Sequence, residues 1–561
     1  MTNFLRFDPV RQWVTYRCLR WFLRAIFCWR TARRVLLTTA TLATLIAVFY
    51  AVENWQGRRA WEQTKRDLEA QGVRLDLAAF IPPPIPDEQN FAMAPVWAGL
   101  QKEGFKTGSL APDSDVNHWF HIWPYGAPFG AETPFFGDIR KGKRTDLGKW
   151  QKYYRDHHAA SLRSLPAGAE PSKIYELGYD AFPIPADAGV PAEDVLMALS
   201  RFDPVLARLR EAARRPLSRF PIHYEDGPQT ALPHLGLLKL AGDVLRVRAI
   251  AELELGRTDD AFADTKLVLK LMNAIENEPF LVSHLVRCSI GNLVLPVIWE
   301  GTSQHGWTDA QLAGFEVELK KQDFLSDFDA ARLHERTNGL NFLSEMPAIR
   351  SGRKAPFSGL RAEDTFSTFI GMTEAKWLRE SEFWARTYRL APSGLFERNK
   401  IACVAAYQSL GSPRRDASTP FVVIEDWHRR CETFLAETRQ PTLDSFLGAP
   451  LARWQPDISV RFFETEAWVR MARIACGLER CRLAEGSYPA HLEDLSPRFL
   501  TTVPRDVIDG GAFKYRRTDD GRFVLYSLGW NGRDDGGETG PTNQKWPDPK
   551  VGDWVWKYPA E

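Results

Sequence analysis

Residues Val35 to Val52 read VLLTTATLATLIAVFYAV, eighteen consecutive positions without a charge. At 1.5 Å rise per residue, a helix of this length covers about 27 Å, close to the hydrocarbon thickness of a bilayer. Its four threonines are tolerable, because a helical hydroxyl bonds back to the carbonyl one turn earlier. The flanks give the segment a direction. Eight arginines, no lysine and a single acid, Asp8, precede Val35, whereas Glu53, Asn54, Trp55 and Gln56 follow it. Positive-inside bias therefore predicts a cytoplasmic N-terminus and a body on the other side, with Tyr50 and Trp55 in the aromatic belt. A cleaved signal peptide also has a basic start and an apolar core. Here the basic region is long, and small-x-small spacing fails at the exit, where Phe49 lies two before Ala51. A buried soluble helix leaves the arginine-rich approach unexplained. The preferred reading is an uncleaved single transmembrane helix, 35–52, behind a basic segment, 1–34, that is suited to the inner headgroup layer.

With 561 residues the chain is too long for one small core. A net charge of +1 removes any global argument for nucleic acid. The seven cysteines include no CxxC pair, so zinc-ribbon and thioredoxin-like readings fail, and buried free thiols are expected. Cys476 and Cys481 fall on different faces of one expected helix, a poor geometry for a mutual disulfide.

Pattern divides the rest of the chain into three parts. Residues 57–80 have a helical period, ended by IPPPIP at 81–86, and the stretch 53–165 as a whole is expected to be mostly irregular, rich in proline and aromatics. From 166 to 460 apolar residues recur at helical spacing. Helices are expected at 192–213, 235–255, 278–300, 308–321, 326–346, 373–389, 398–410 and 420–437, with a polar loop at 351–364. After Gly256, Thr258 is the expected N-cap of the next helix. Residues 461–561 then combine an amphipathic helix, 462–486, with alternating strands near Phe513–Arg517 and Arg522–Ser527, joined by a tight turn at Asp520-Gly521. The fold class is mainly α: one N-terminal transmembrane helix, a partly repeat-like helical body, and a small C-terminal α+β module.

Two local resemblances follow from particular residues. Gly256-Arg-Thr-Asp-Asp-Ala261 between two helices resembles one tetratricopeptide hairpin, with the glycine leaving the first helix and the alanine allowing close packing of the second. About ninety C-terminal residues resemble the globular half of type II secretion major pseudopilins. That likeness is carried by Gly486, Tyr488, Pro489, Leu495, Pro504, Asp506, Gly510, Tyr515, Gly521, Tyr526, Ser527 and Gly529, and by an Asp/Gly-rich loop ending near Asp553-Trp554. In that family the closing loop binds calcium, and the resemblance implies Asn531, Asp534, Asp535 and Asp553 as the calcium ligands here. This chain has Asn531 where the family usually has Asp. It also lacks the family's short leader and the glutamate that follows it, which argues against a filament subunit.

Catalytic signatures are missing: the sequence contains no GxSxG, HExxH, Walker A or GxGxxG motif. Asp113, Asp115, His118 and His121 form the densest group of metal-competent side chains. Asp156-His157-His158, His223 with Glu225 and Asp226, His234, and His334-Glu335 are weaker candidates, each more simply read as packing or surface residues. The expected function is thus non-catalytic: a single-pass interaction or scaffold protein of a bacterial inner membrane, with an extracytoplasmic body, contacting lipid through one helix and a protein partner through its body. The alternatives are an exported metal-assisted hydrolase using 113–121, or a component of secretion or pilus-like machinery.

Overall fold

The computed structural model describes residues 29–98, 100, 137–163, 182–224, 226, 230–350, 390–414, 421–439, 442–541 and 548–558. The described chain is mainly helical. Its first helix, α1 (Trp29–Ala70), runs unbroken for 42 residues. The apolar segment 35–52 and the expected separate helix from 57 are therefore one element, ended at Ala70 by Gly72, whose φ of +76° suits only glycine well. Short 3₁₀ turns follow at Leu77–Phe80, Asp87–Gln89, Phe91–Met93 and Pro95–Trp97. The stretch expected to be irregular up to 165 also contains a regular helix, α2 (Leu147–Arg163). Trp150, Tyr153, Tyr154 and His157 recur on its buried face, so aromatic rather than aliphatic periodicity builds this helix.

The body is a succession of packed helices: α3 (Pro191–Leu199), α4 (Asp203–Ala212), α5 (Pro233–Glu254), α6 (Thr258–Asn273), α7 (Leu281–Ser303), α8 (Asp309–Lys320), α9 (Phe324–Arg350), α10 (Ser393–Leu410), α11 (Ile424–Glu437) and α12 (Gln455–Glu485). Pro204, in the first turn of α4, divides the single helix expected at 192–213, with a 3₁₀ turn at Ser200–Phe202 between the halves. Prolines also start α3 and α5, where a missing N–H costs nothing. Thr258 is the first helical residue of α6 rather than its cap. The polar groups of that first turn are engaged from α8 instead, where Gln311 Nε2 donates to Asp259 Oδ1 at 2.8 Å. Thr308 and Gln311 form a reciprocal capping box that fixes the start of α8. The expected helix at 373–389 and the loop at 351–364 lie outside the described residues.

Helix α7 is the hub, packing on α5, α6, α9 and α12. Two described helices, α1 and α7, are long and apolar enough to cross a membrane. Two thirds of the apolar window of α7 is buried, as befits a core helix, whereas none of that of α1 is. The expected module boundary at 460/461 falls inside α12, which starts at Gln455 because Pro456 sits harmlessly in its first turn. The helix then packs against α7, α8 and α9.

A three-stranded antiparallel sheet, β1 (Lys514–Arg517), β2 (Phe523–Ser527) and β3 (Trp554–Trp556), packs against α12 through β2 and β3. Lys514 lies opposite Tyr526, and Ser527 opposite Trp554. The β1–β2 connection is a three-residue loop, Asp519 to Gly521, because Thr518 N still bonds Arg522 O (2.9 Å) and Gly521 takes a φ of +77°. The third strand, Trp554-Val-Trp556, is too short for its alternation to be read beforehand. Trp299 Nε1 of α7 donates to Lys557 O at 2.8 Å, tying this strand to the hub helix.

Candidate functional site

Where α1 leaves its apolar segment it meets the start of α10. Asn54 lies beside Ser393, Gly57 beside Gly394, and Trp61 beside Lys400, so the two helices run side by side in the same direction. Both glycines are required. A Cβ on Gly57 would lie 2.7 Å from the Gly394 carbonyl carbon, and one on Gly394 would lie 2.9 Å from Asn54 Cα. The close approach lets Asn54 Oδ1 accept from both Ser393 Oγ and Gly394 N–H at 2.9 Å. Arg398 then bridges Glu53 (2.5 Å) and Asp444 (2.6 Å), and the Lys400 ammonium lies 5.4 Å from the Trp61 ring centre. Before the junction the threonines bond back along the helix as expected, Thr38 to Arg34 O and Thr44 to Ala40 O, both at 2.8 Å.

The expected calcium ligands lie in and beside one loop, where Asn531 and Asp553 both contact Asp535. Asp553 is buried, and its carboxylate accepts from Gly537 N–H (2.7 Å) and Asp535 N–H (3.1 Å). Burial pushes this carboxyl up to about 6, against the pull of those two amides. Asp534 instead accepts from Gly536 N–H (3.1 Å) and the Tyr526 hydroxyl (2.9 Å), which hold it below the usual carboxylate range. Asn531 gives its amide to Asp535 (2.8 Å), while its oxygen accepts from Arg533 N–H (3.1 Å). The loop carboxylates thus meet both backbone amides and neighbouring side chains. Among the described residues no three His, Cys, Asp or Glu side chains are grouped to hold a metal ion.

The histidine candidates are placed as follows. Asp113, Asp115, His118 and His121 lie outside the described residues, as does Glu225. His157 is buried against Tyr153 and Phe182, and His158 Nδ1 bonds Phe182 O (2.7 Å), so the adjacent rings serve different partners. Asp156 pairs with Lys152. His223 lends its carbonyl to Asp226 N–H at 3.2 Å. His234 is fully buried, stacked on Phe220 with centroids 4.1 Å apart, and its Nε2 meets Glu278 at 2.7 Å. His334 packs edge-on to Phe80 and Phe280, and Glu335 accepts the Leu281 N–H (3.3 Å) at the start of α7. The five described cysteines are buried and free.

A different cluster brings together the most concentrated polar chemistry. Glu479 of α12 is completely buried, yet it receives His305 Nδ1 (2.9 Å), the Arg482 guanidinium (2.6 Å) and the Tyr488 hydroxyl (2.9 Å). Burial alone raises this carboxyl, but the bonds from His305 and Arg482 prevail and hold it below its ordinary value. The Tyr488 and Tyr558 hydroxyls lie 2.7 Å apart, carrying the network to the segment that follows β3. His305 has a φ of +56°, the only positive value at a non-glycine residue among those described. It closes α7 in a Schellman motif, with Gly306 N–H bonded to Gly301 O (2.9 Å) and its own N–H to Thr302 O (3.1 Å). A side chain is strained there by about 1–2 kcal/mol, and the carboxylate–imidazole pair holds it in place. Such a dyad orients a ring for proton transfer. Here Tyr488 donates to the same carboxylate, so the shared acceptor ties α7, α12 and the terminal strand together.

Comparison with models of known protein families, with characterised proteins and with solved structures finds no match to this chain.

Neither the helix junction nor the Glu479 network was picked out from sequence. Gly57 opens the helical stretch expected at 57–80 and Gly394 precedes the helix expected at 398–410, so in sequence neither marks a close backbone approach. Glu479 and Arg482 stand three apart on a helix, a common surface spacing that does not reveal a buried pair.

Proposed function

We propose that this protein is a single-pass, membrane-anchored interaction protein whose body works against the face of the membrane from which α1 emerges. The observation that carries the reading is the division of α1. None of its apolar window is covered by the body, whereas the next turns are locked onto α10 through Asn54, Gly57 and Arg398. A helix that is bare and apolar over a bilayer's thickness and then abruptly polar and packed fits a transmembrane stem better than a core element. The eight arginines before it, against a first basic residue only at Arg58 after it, favour a cytoplasmic N-terminus and an extracytoplasmic body at a bacterial inner membrane. In this reading the hairpin α5–α6, with its resemblance to a tetratricopeptide unit, and the terminal sheet, with its resemblance to a pseudopilin head, supply surfaces for a protein partner.

Protease protection in intact and permeabilised cells tests the placement. The body is expected to be cut from outside the cytoplasmic membrane while residues before Val35 are protected. Recovery of an intact body from the soluble fraction, or protection of the body until the cytoplasm is opened, refutes it.

A further inference from the structure

The base of the body, around the point where α1 emerges, carries large apolar side chains that are mostly exposed. Leu390 is 68% exposed, Leu443 55% and Trp55 60%. Their height on α1 is fixed by the contacts beside them. The Tyr50 hydroxyl donates to the Leu390 carbonyl. The Leu443 carbonyl accepts from Asn399 Nδ2 at 3.1 Å, and the neighbouring Arg398 pairs with both Glu53 and Asp444. Leu390 is therefore held beside Tyr50, and Leu443 follows from its neighbour Asp444, which shares Arg398 with Glu53. The three apolar residues thus form a rim near residues 50–55 of α1, at the end of its apolar segment.

We propose that this rim is a lipid-contact surface, seated in the interfacial layer of the bilayer that α1 crosses; the inference rests on the membrane placement above. Three observations favour lipid as the occupant. The surface starts at Tyr50, inside the bare apolar segment of α1, whose hydroxyl meets the Leu390 carbonyl. Residues 50–55 rise by about 7.5 Å, comparable to the thickness of one interfacial layer. The charges match that layer too. Both acids at this level, Glu53 and Asp444, are held by Arg398, while Arg58 and Arg59 are exposed immediately beyond, with the Arg59 guanidinium 5.3 Å from the Trp55 ring centre. Tryptophan and arginine side by side at a bilayer edge give an apolar ring to the acyl boundary and a cation to phosphate.

The test uses the full chain in phospholipid nanodiscs, with benzoylphenylalanine introduced singly at positions 390 and 443. Position 45, inside the apolar segment, serves as a reference, and the exposed positions 317 and 483 serve as water-facing controls. After irradiation, mass spectrometry is expected to find lipid adducts at 45, 390 and 443 and none above background at 317 and 483. Adducts at 45 without adducts at 390 and 443, or crosslinks from 390 and 443 to a second copy of the chain, overturn the lipid-contact surface and leave the transmembrane stem standing. Absence of adducts at 45 as well overturns both.

Discussion

Replacing Gly394 by alanine tests whether stem and body are one rigid unit. The added methyl would lie 2.7 Å from the Glu53 carbonyl carbon and 2.9 Å from Asn54 Cα. Carbon–carbon contacts relax at about 3.5–4.0 Å, so α1 and α10 must part by about 1 Å. That shift stretches both 2.9 Å bonds to Asn54 Oδ1 beyond hydrogen-bonding range. Two lost hydrogen bonds at about 1 kcal/mol each, with overpacking of about 1–2 kcal/mol, give a local loss of about 3–4 kcal/mol. Since 1.4 kcal/mol corresponds to a factor of ten, amides of the junction should exchange with solvent about 10²–10³-fold faster. Hydrogen-exchange mass spectrometry of peptides from 53–70 and 393–400 reads this directly in the full chain. The control is Gly236→Ala in α5, where nothing lies within 4 Å of the added Cβ. If Gly394→Ala leaves the junction peptides as protected as the control does, the two helices are not in backbone contact and the rigid-stem argument fails.

Other perturbations address the terminal module and the core. Burial pushes the Asp506 carboxyl up to about 6, above its unfolded value near 4, despite bonds from Ile508 N–H, the Ser527 hydroxyl and Leu528 N–H. The native state then holds the extra proton between those values, so the stability contributed by this group is full below about pH 4 and falls until about pH 6. Unfolding of the sheet module, followed by exchange at Leu528 and corrected for intrinsic rates, should show that slope in the wild type and lose it in Asp506→Asn. Glu479→Ala removes the acceptor shared by His305, Arg482 and Tyr488 and is expected to cost about 3–5 kcal/mol, measured by thermal unfolding in detergent; a change under about 1 kcal/mol refutes its role as the shared tie. Burial raises the thiols of Cys403 and Cys431 to about 12 and Cys481 to about 11. A thiol reagent at pH 8 should therefore leave the five described cysteines unmodified until denaturant is added, and rapid labelling of the folded chain at any of them contradicts the packing described.

Much of the fold is legible in the sequence because aliphatic periodicity and breakers agree. The helices around Leu235–Leu255 and 308–321 are found within a few residues, since Pro233, Gly256 and the Thr308–Gln311 pair mark their ends. Reading fails where a breaker has a second meaning. Gly57 looks like a stop after the apolar segment, yet it sits within a 42-residue helix because Gly394 needs the space. The boundary expected at 460/461 falls inside a helix, because Pro456 is accommodated in the first turn of α12. The aromatic face of α2 hides among charges, and β3 offers only three residues. For the candidate sites the limit is different. Composition marks Asn531, Asp534, Asp535 and Asp553 as oxygen-rich, while their contacts with nearby amides and the Tyr526 hydroxyl are seen only in the folded loop. Glu479 and His305, 174 residues apart, are joined by tertiary packing alone.

The parallel contact of α1 with α10 has a mechanical consequence. Residues 53–70 continue the same helix for about 27 Å along the body, with no swivel between the two. If the first part of that helix is held by lipid, the body cannot tumble. Its rotational diffusion is set by membrane viscosity, and one side of it always faces the bilayer while the opposite side always faces away. A partner in solution then meets only the surfaces turned outward, at a constant height and tilt, and a pull on the body is delivered to the lipid phase as a tilt of the stem.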